Sequence, residues 1–168
     1  MNITHMKELG IKSVLGLQPL VGSGAVSFIG GNATEPTTSK WYKTLKQSKL
    51  TPPSYVFPIV WPILYVLLGL NAVRMYTALG STEFIKSYFP TYELQLLLNF
   101  SWSIAFFTFK NPVVSLGIIG GMILLTIALI MKSWDVDRIA GYALLPYIGW
   151  IAFASYLNYF IVVSNNHA

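Results

Sequence analysis

The chain is expected to fold as an all-α polytopic membrane protein, a bundle of five transmembrane helices. Three observations lead there. Of its 168 residues, 54% are hydrophobic and only 10% are charged, against about a quarter charged in a soluble domain. The few charges bracket five long uncharged stretches. No stretch alternates in and out as a membrane β-barrel strand must. Helices are then the structure that satisfies its own backbone in lipid.

The uncharged stretches set the spans. Lys12 to Glu35 encloses 22 residues, Lys49 to Arg74 encloses 24, Glu93 to Lys110 encloses 16, and Lys110 to Lys132 encloses 21. Another 30 follow Arg138. A helix rises about 1.5 Å per residue through a hydrocarbon core about 30 Å thick, so roughly 20 residues suffice. The third stretch is long enough once Tyr92 and Lys110 sit at the interface. Spans are therefore predicted near 11–31, 54–78, 91–110, 112–131 and 139–162. The first is read as a retained helix, since no small-residue cleavage site follows it. The whole chain, 1–168, reads as one membrane domain with its termini on opposite sides. Basic residues divide six against five between the two sides, which leaves orientation open.

The loop 32–53 is predicted to lie along the interface. Ser39 suits a helix N-cap. Beyond it Trp41, Tyr42 and Leu45 fall on one side, with Lys40, Lys43 and Lys46 on another. Thr51-Pro52-Pro53 ends this segment and restarts the chain into the second span.

Several function classes are excluded by what is missing. The net charge of +5 comes from scattered basic residues, whereas a nucleic-acid footprint masses them on one face. There is no cysteine, and the two histidines, His5 and His167, stand near the ends. Disulfides, thiolate metal sites and iron ligation by an intramembrane histidine are ruled out, and neither a metal nor a cofactor is expected. No ionisable side chain falls in the middle of a span. That argues against ion-coupled transport and against general acid–base chemistry.

What remains inside the bilayer is neutral and aromatic. On the third span Tyr92, Gln95, Asn99, Trp102 and Phe106 recur at steps of three and four and share a face. Gln95 and Asn99 must point inward, because lipid offers an amide no partner. The fifth span carries Tyr147, Trp150, Ala154, Leu157 and Ile161 in the same way. The second carries Trp61, Tyr65, Gly69 and Ala72, with Pro58 and Pro62 in its first turns. Any one stripe is explained by helix packing alone. Tryptophans on three spans beside small residues point further, to a pocket for a flat apolar ligand. Gly117, Gly121 and Ala128 on the fourth span form a close-packing face, within the bundle or in a dimer.

Taken together, WYKTL at 41–45, PPSYVFPIVWPILYVLLG at 52–69, QLLLNFSWSIAFF at 95–107 and LLPYIGWIAFASYLNYF at 144–160 resemble the TspO/MBR family. Its members are also called translocator proteins, tryptophan-rich sensory proteins or peripheral-type benzodiazepine receptors. The runs stand in the family's order and spacing, over roughly residues 15–163. The resemblance implies a five-helix bundle, often a homodimer, that binds porphyrins and related tetrapyrroles. In animals such proteins also bind sterols and synthetic drugs. Carried over by position, Trp61, Asn99, Trp102, Trp150, Ala154 and Leu157 would line the cavity, and Trp41 and Leu45 would belong to a lid over its mouth. It implies a bacterial cell envelope or a mitochondrial outer membrane as location, and the VFPIVW wording leans to the former.

The departures are specific. Gln47, Ser48, Lys49 and Leu50 stand where the family has Lys-Pro-x-aromatic, and Tyr55 replaces a tryptophan. The tail has Leu157 and Tyr159 but no basic residue after them, so sterol binding through that motif is not expected. The reading that follows is a membrane receptor or carrier for a porphyrin held by stacking and shape. A light- and oxygen-dependent porphyrin-degrading enzyme, with Trp61 and Trp150 as redox partners, is the alternative. A purely structural membrane protein is the third.

Overall fold

The computed structural model describes residues 40–165. The span predicted over 11–31 and the Ser39 cap lie outside the described residues. Within them the chain is helical, without a strand.

A short helix, α1 (Lys40–Thr44), is followed by a loop and a single 3-10 turn over Ser54–Val56. The turn leads into α2 (Phe57–Leu79), which has Pro58 in its first turn and Pro62 inside. Pro62 sits near the start, so its missing N–H removes only one intrahelical bond. Gly80 ends α2 at φ 76° and ψ 162°, a conformation essentially restricted to glycine.

The third span is longer than its charges indicate. A turn at Ser81–Glu83 runs into π-helix at Phe84–Tyr88, then α3 (Phe89–Ser103), then a second π-helical turn at Ile104–Thr108. Pro90 accounts for the first wide turn, because its ring cannot enter a regular α-helical turn without striking the carbonyl four residues back. Lys110 takes positive φ, 52°, to leave the helix. Asn111 Oδ1 then accepts the Val114 N–H at 3.0 Å, with Pro112 following, and caps α4 (Pro112–Val136). This helix runs past Lys132, the expected boundary. The lysine folds back to give its ammonium to Ser87 O at 2.5 Å and Thr91 Oγ1 at 3.1 Å, so its charge is no barrier to helix.

Asp137 closes α4 and caps α5 (Arg138–Ala143), accepting from Ile139 N at 2.9 Å and Ala140 N at 3.3 Å. A break at Leu144 separates α5 from α6 (Leu145–Asn165). Pro146 explains it, having no N–H to offer Tyr142 O.

The bundle exposes apolar side chains that a soluble one would bury. Ile59, Ile63, Val66 and Leu70 on α2, Leu94 and Leu97 on α3, and Val113, Leu124 and Met131 on α4 are exposed. Asn71, Gln95, Asn99, Ser115, Thr126, Ser133 and Asn158 are buried. An apolar exterior, with the amides confined to a largely apolar interior, is the arrangement lipid demands. Ser54–Leu79, Pro112–Val136 and Arg138–Asn165 are each long and apolar enough to cross a membrane. The chain is an integral, multi-pass membrane protein.

Central to the packing is α4, which lies along both α3 and α6. Of the small-residue face on α4, Gly121 lies within the bundle, since a Cβ there would come 3.0 Å from Leu98 Cδ1. At Gly117 a Cβ would meet nothing within 4 Å. The backbone of α2, by contrast, comes close to α3 or α6 at few points, and large side chains bridge the interval.

Candidate functional site

Those bridging side chains are aromatic. Trp61 of α2 stacks on Tyr65, one turn on, at 5.6 Å between ring centroids. It also stands 6.4 Å from Trp102 of α3 and 6.4 Å from Trp150 of α6, tilted to the first and edge-on to the second. All three tryptophans are half-buried and pack against the main core, as does Ala154. Phe57 and Phe153 each lie 5.9 Å from Trp150. Helical spacing explains the convergence, since each ring sits on the same face as the buried residues of its own helix.

Beneath the rings runs a chain of neutral hydrogen bonds. The Tyr65 hydroxyl donates to Asn99 Oδ1. Asn99 Nδ2 donates to the Tyr147 hydroxyl at 2.8 Å, and Gln95 Nε2 donates to the same oxygen at 2.9 Å. This lattice ties α2, α3 and α6 together at the point where their backbones stand apart. Trp102 is fixed separately: its indole N–H donates to Asn158 Oδ1 at 3.2 Å, and Asn158 Nδ2 donates to Pro112 O at 2.7 Å. Among the described residues two buried atoms, Trp150 Nε1 and Gln95 Oε1, have no partner.

The π-helical turn at the end of α3 carries Phe106 into a second aromatic group. Phe106 stacks on Trp102 at 5.4 Å and meets Trp41 edge-on at 5.7 Å. Tyr42 and Ile161 complete the buried part, with Leu45 and Phe107 packed around it. Burial pushes the Tyr42 hydroxyl above its usual pKa. The loop after α1 is fastened to α6. Ser48 Oγ and Tyr156 OH share a hydrogen bond of 3.1 Å, and Asn165 binds both backbone groups of Lys46.

Of the residues singled out from sequence, Trp61, Asn99, Trp102 and Trp150 come together around one centre, and Ala154 packs against the same core one turn beyond Trp150. Leu157 is buried on the same face of α6 but outside both side-chain clusters. Trp41 and Leu45 reach the centre through Phe106 and Trp102 and have no ring contact with Trp61 or Trp150. Tyr65, Tyr147, Gln95 and Phe106 belong to the site although the stripes presented them only as neighbours. Asn158 was missed. Its signal was chemical: an amide inside a span needs an internal partner.

The TspO/MBR family model matches residues 19–163. The chain is 34% identical over 142 residues to the tryptophan-rich protein TspO of Archaeoglobus fulgidus, covering 84% of this chain and 90% of that one. It is 30% identical over 141 residues to the protein of the same name from Chlorobaculum tepidum, covering 84% and 89%. With the translocator protein of Bos taurus it shares 31% identity over 137 residues, 79% of each chain.

Proposed function

The chain belongs to the TspO/MBR family, and from that membership we propose that it is a membrane receptor for porphyrins or similarly flat hydrophobic molecules, bound among the aromatic rings of the bundle. The observation that carries the reading is the meeting of Trp61, Trp102 and Trp150, from three helices, where α2 stands off from α3 and α6. Rings with polarised faces and edges suit stacking on a planar guest. The hydrogen-bonded lattice of Tyr65, Asn99 and Tyr147 holds the helices in place beneath the rings.

In this reading Trp61, Trp102, Trp150 and Ala154 contact the guest, Asn99 supports them, and Leu157 backs the wall. Trp41 and Leu45 act through Phe106 as part of a cover. Residues 1–168 work as one membrane domain. Binding without an iron-ligating side chain makes metal-free protoporphyrin as good a ligand as haem.

Quenching of tryptophan fluorescence by protoporphyrin IX, titrated against the purified protein in detergent, tests the proposal. Saturable quenching that weakens at least tenfold in both Trp61→Ala and Trp150→Ala is the expected result. Unchanged quenching in both variants, with their folds intact, would refute the site.

A further inference from the structure

The partnering of the three indoles differs. Trp102 gives its N–H to Asn158, which is itself anchored on Pro112 O. Trp150 Nε1 is sealed from solvent with no acceptor among the described residues. Lipid supplies no water to relieve such a donor, and an unmade bond at a buried group is costly. The other amides of the interior are paired: Asn71 to Ser133 and Ala140, Asn99 to Tyr65 and Tyr147, Asn158 to Trp102 and Pro112.

Gln95, fully buried, is the exception. It bonds to Tyr147, one turn before Trp150, and its Oε1 has no partner among the described residues. The Tyr147 oxygen receives N–H groups from both Gln95 and Asn99. Its own proton then lacks an acceptor among these bonds. A half-turn of the Gln95 amide exchanges O and N in place. Tyr147 then donates to the Gln95 oxygen, and the group left over is the Gln95 N–H2. Proton accounting along Tyr65, Asn99, Tyr147 and Gln95 favours this setting, in which each hydroxyl and amide donates to the next. Among the described residues the site then holds two unpaired donors, the Gln95 amide on α3 and, one turn beyond the Tyr147 that it bonds, the Trp150 N–H on α6.

We infer that the ligand brings an oxygen acceptor, a carboxylate or a carbonyl, to the Trp150 indole N–H, with the Gln95 amide as the second donor. This rests on the receptor reading above and sharpens it. Flat shape admits a guest, and an oxygen on its periphery selects it.

Two porphyrins separate the claims. Protoporphyrin IX carries two carboxylates, and etioporphyrin carries only alkyl groups. Both are titrated against the full chain in an alkyl maltoside, which has no ester. The intact protein is expected to bind the acid at least ~10-fold more tightly, the worth of about one buried hydrogen bond. Trp150→Phe keeps a ring but removes the N–H, and is expected to erase most of that preference by weakening protoporphyrin IX far more than etioporphyrin. Equal affinities in the intact protein overturn the inference even if Trp150→Phe fails to fold. Parallel weakening of both ligands by the variant also overturns it. Binding of neither porphyrin overturns the receptor reading itself. A lipid ester carbonyl has the same acceptor chemistry. Loss of the acid's advantage in phosphatidylcholine nanodiscs would give the N–H to lipid and sink the assignment.

Discussion

Asn165 holds Lys46 by both of its backbone groups: the Lys46 N–H donates to Asn165 Oδ1 at 2.9 Å, and Asn165 Nδ2 donates back to the Lys46 carbonyl at 3.2 Å. The side-chain amide thus mimics a strand neighbour and pins the loop after α1 to the end of α6. With Ser48 and Tyr156 bonded nearby, the loop is fastened to one helix at two points.

Asn165→Ala removes the first of these. The bonds are exposed, so their joint worth is about 1 kcal/mol, enough to raise the detached fraction about fivefold. Trypsin digestion in detergent reads this directly, because Lys46 and Lys49 lie in the loop. Cleavage there should accelerate about fivefold in Asn165→Ala and further in Asn165→Ala with Ser48→Ala. An unchanged rate would mean the loop is held by its aromatic contacts alone.

Asn99 is the joint of the buried lattice, accepting from Tyr65 and donating to Tyr147. Asn99→Leu has a similar branched shape but strands the Tyr65 hydroxyl and leaves Tyr147 only its bond with Gln95. The expected loss is about 1–3 kcal/mol, seen as a lower thermal midpoint in detergent. Asn158→Leu should cost less stability, because the Trp102 N–H and Pro112 carbonyl that it leaves without a partner are only part-buried. It should instead broaden the Trp102 emission. The ordering of the two variants is the check.

Much of this arrangement was legible in the sequence because lipid makes harsh demands. Uncharged stretches located α2, α4 and the α5–α6 segment to within a few residues, and the spacing of Gln95, Asn99 and Trp102 predicted their shared face. Charge was a poor guide where a side chain reaches away from its backbone. Lys132 folds back onto Ser87 and Thr91, so α4 continues for a turn beyond it. Pro90 signals an interruption in any sequence, but whether the helix breaks or widens into a π-helical turn depends on what packs around it. The Asn165–Lys46 pairing joins residues 119 apart, and no local pattern encodes that. The unpaired N–H of Trp150 is a matter of ring orientation, which spacing cannot specify.

Gly80 permits a test of backbone geometry in isolation. Its φ of 76° lies where L side chains rarely sit, and a Cβ there would meet nothing within 4 Å. Gly80→Ala therefore adds strain without a clash. A loss of about 1–3 kcal/mol is expected, as a lower thermal midpoint with unchanged helix content by circular dichroism. A neutral result would mean that the turn between α2 and Ser81 relaxes freely.

Asp137 ties the start of α5 to α2. Its carboxylate caps Ile139 and Ala140 and accepts Arg74 Nε at 2.8 Å. Partial shielding pushes its pKa up, but the Ala140 N–H and the Arg74 guanidinium outweigh this and hold the group below its ordinary 3.8. A carboxyl lowered on folding stabilises the native state above its unfolded pKa, and that contribution disappears as pH falls through the folded value. Stability owed to Asp137 should thus be constant near neutrality and decline below about pH 4. Asp137→Asn keeps a capping oxygen but loses the charge. Other carboxyls titrate in both proteins, so the informative quantity is the difference in thermal midpoint between wild type and variant. It should favour wild type at pH 7 and shrink as the solution is acidified toward about pH 3. Asp137→Ala, which also loses the cap, should retain a deficit at the lowest pH, because a protonated Asp137 can still accept from the backbone. If the Asn variant tracks wild type at every pH, Arg74 contributes nothing through its charge and the cap alone accounts for the junction.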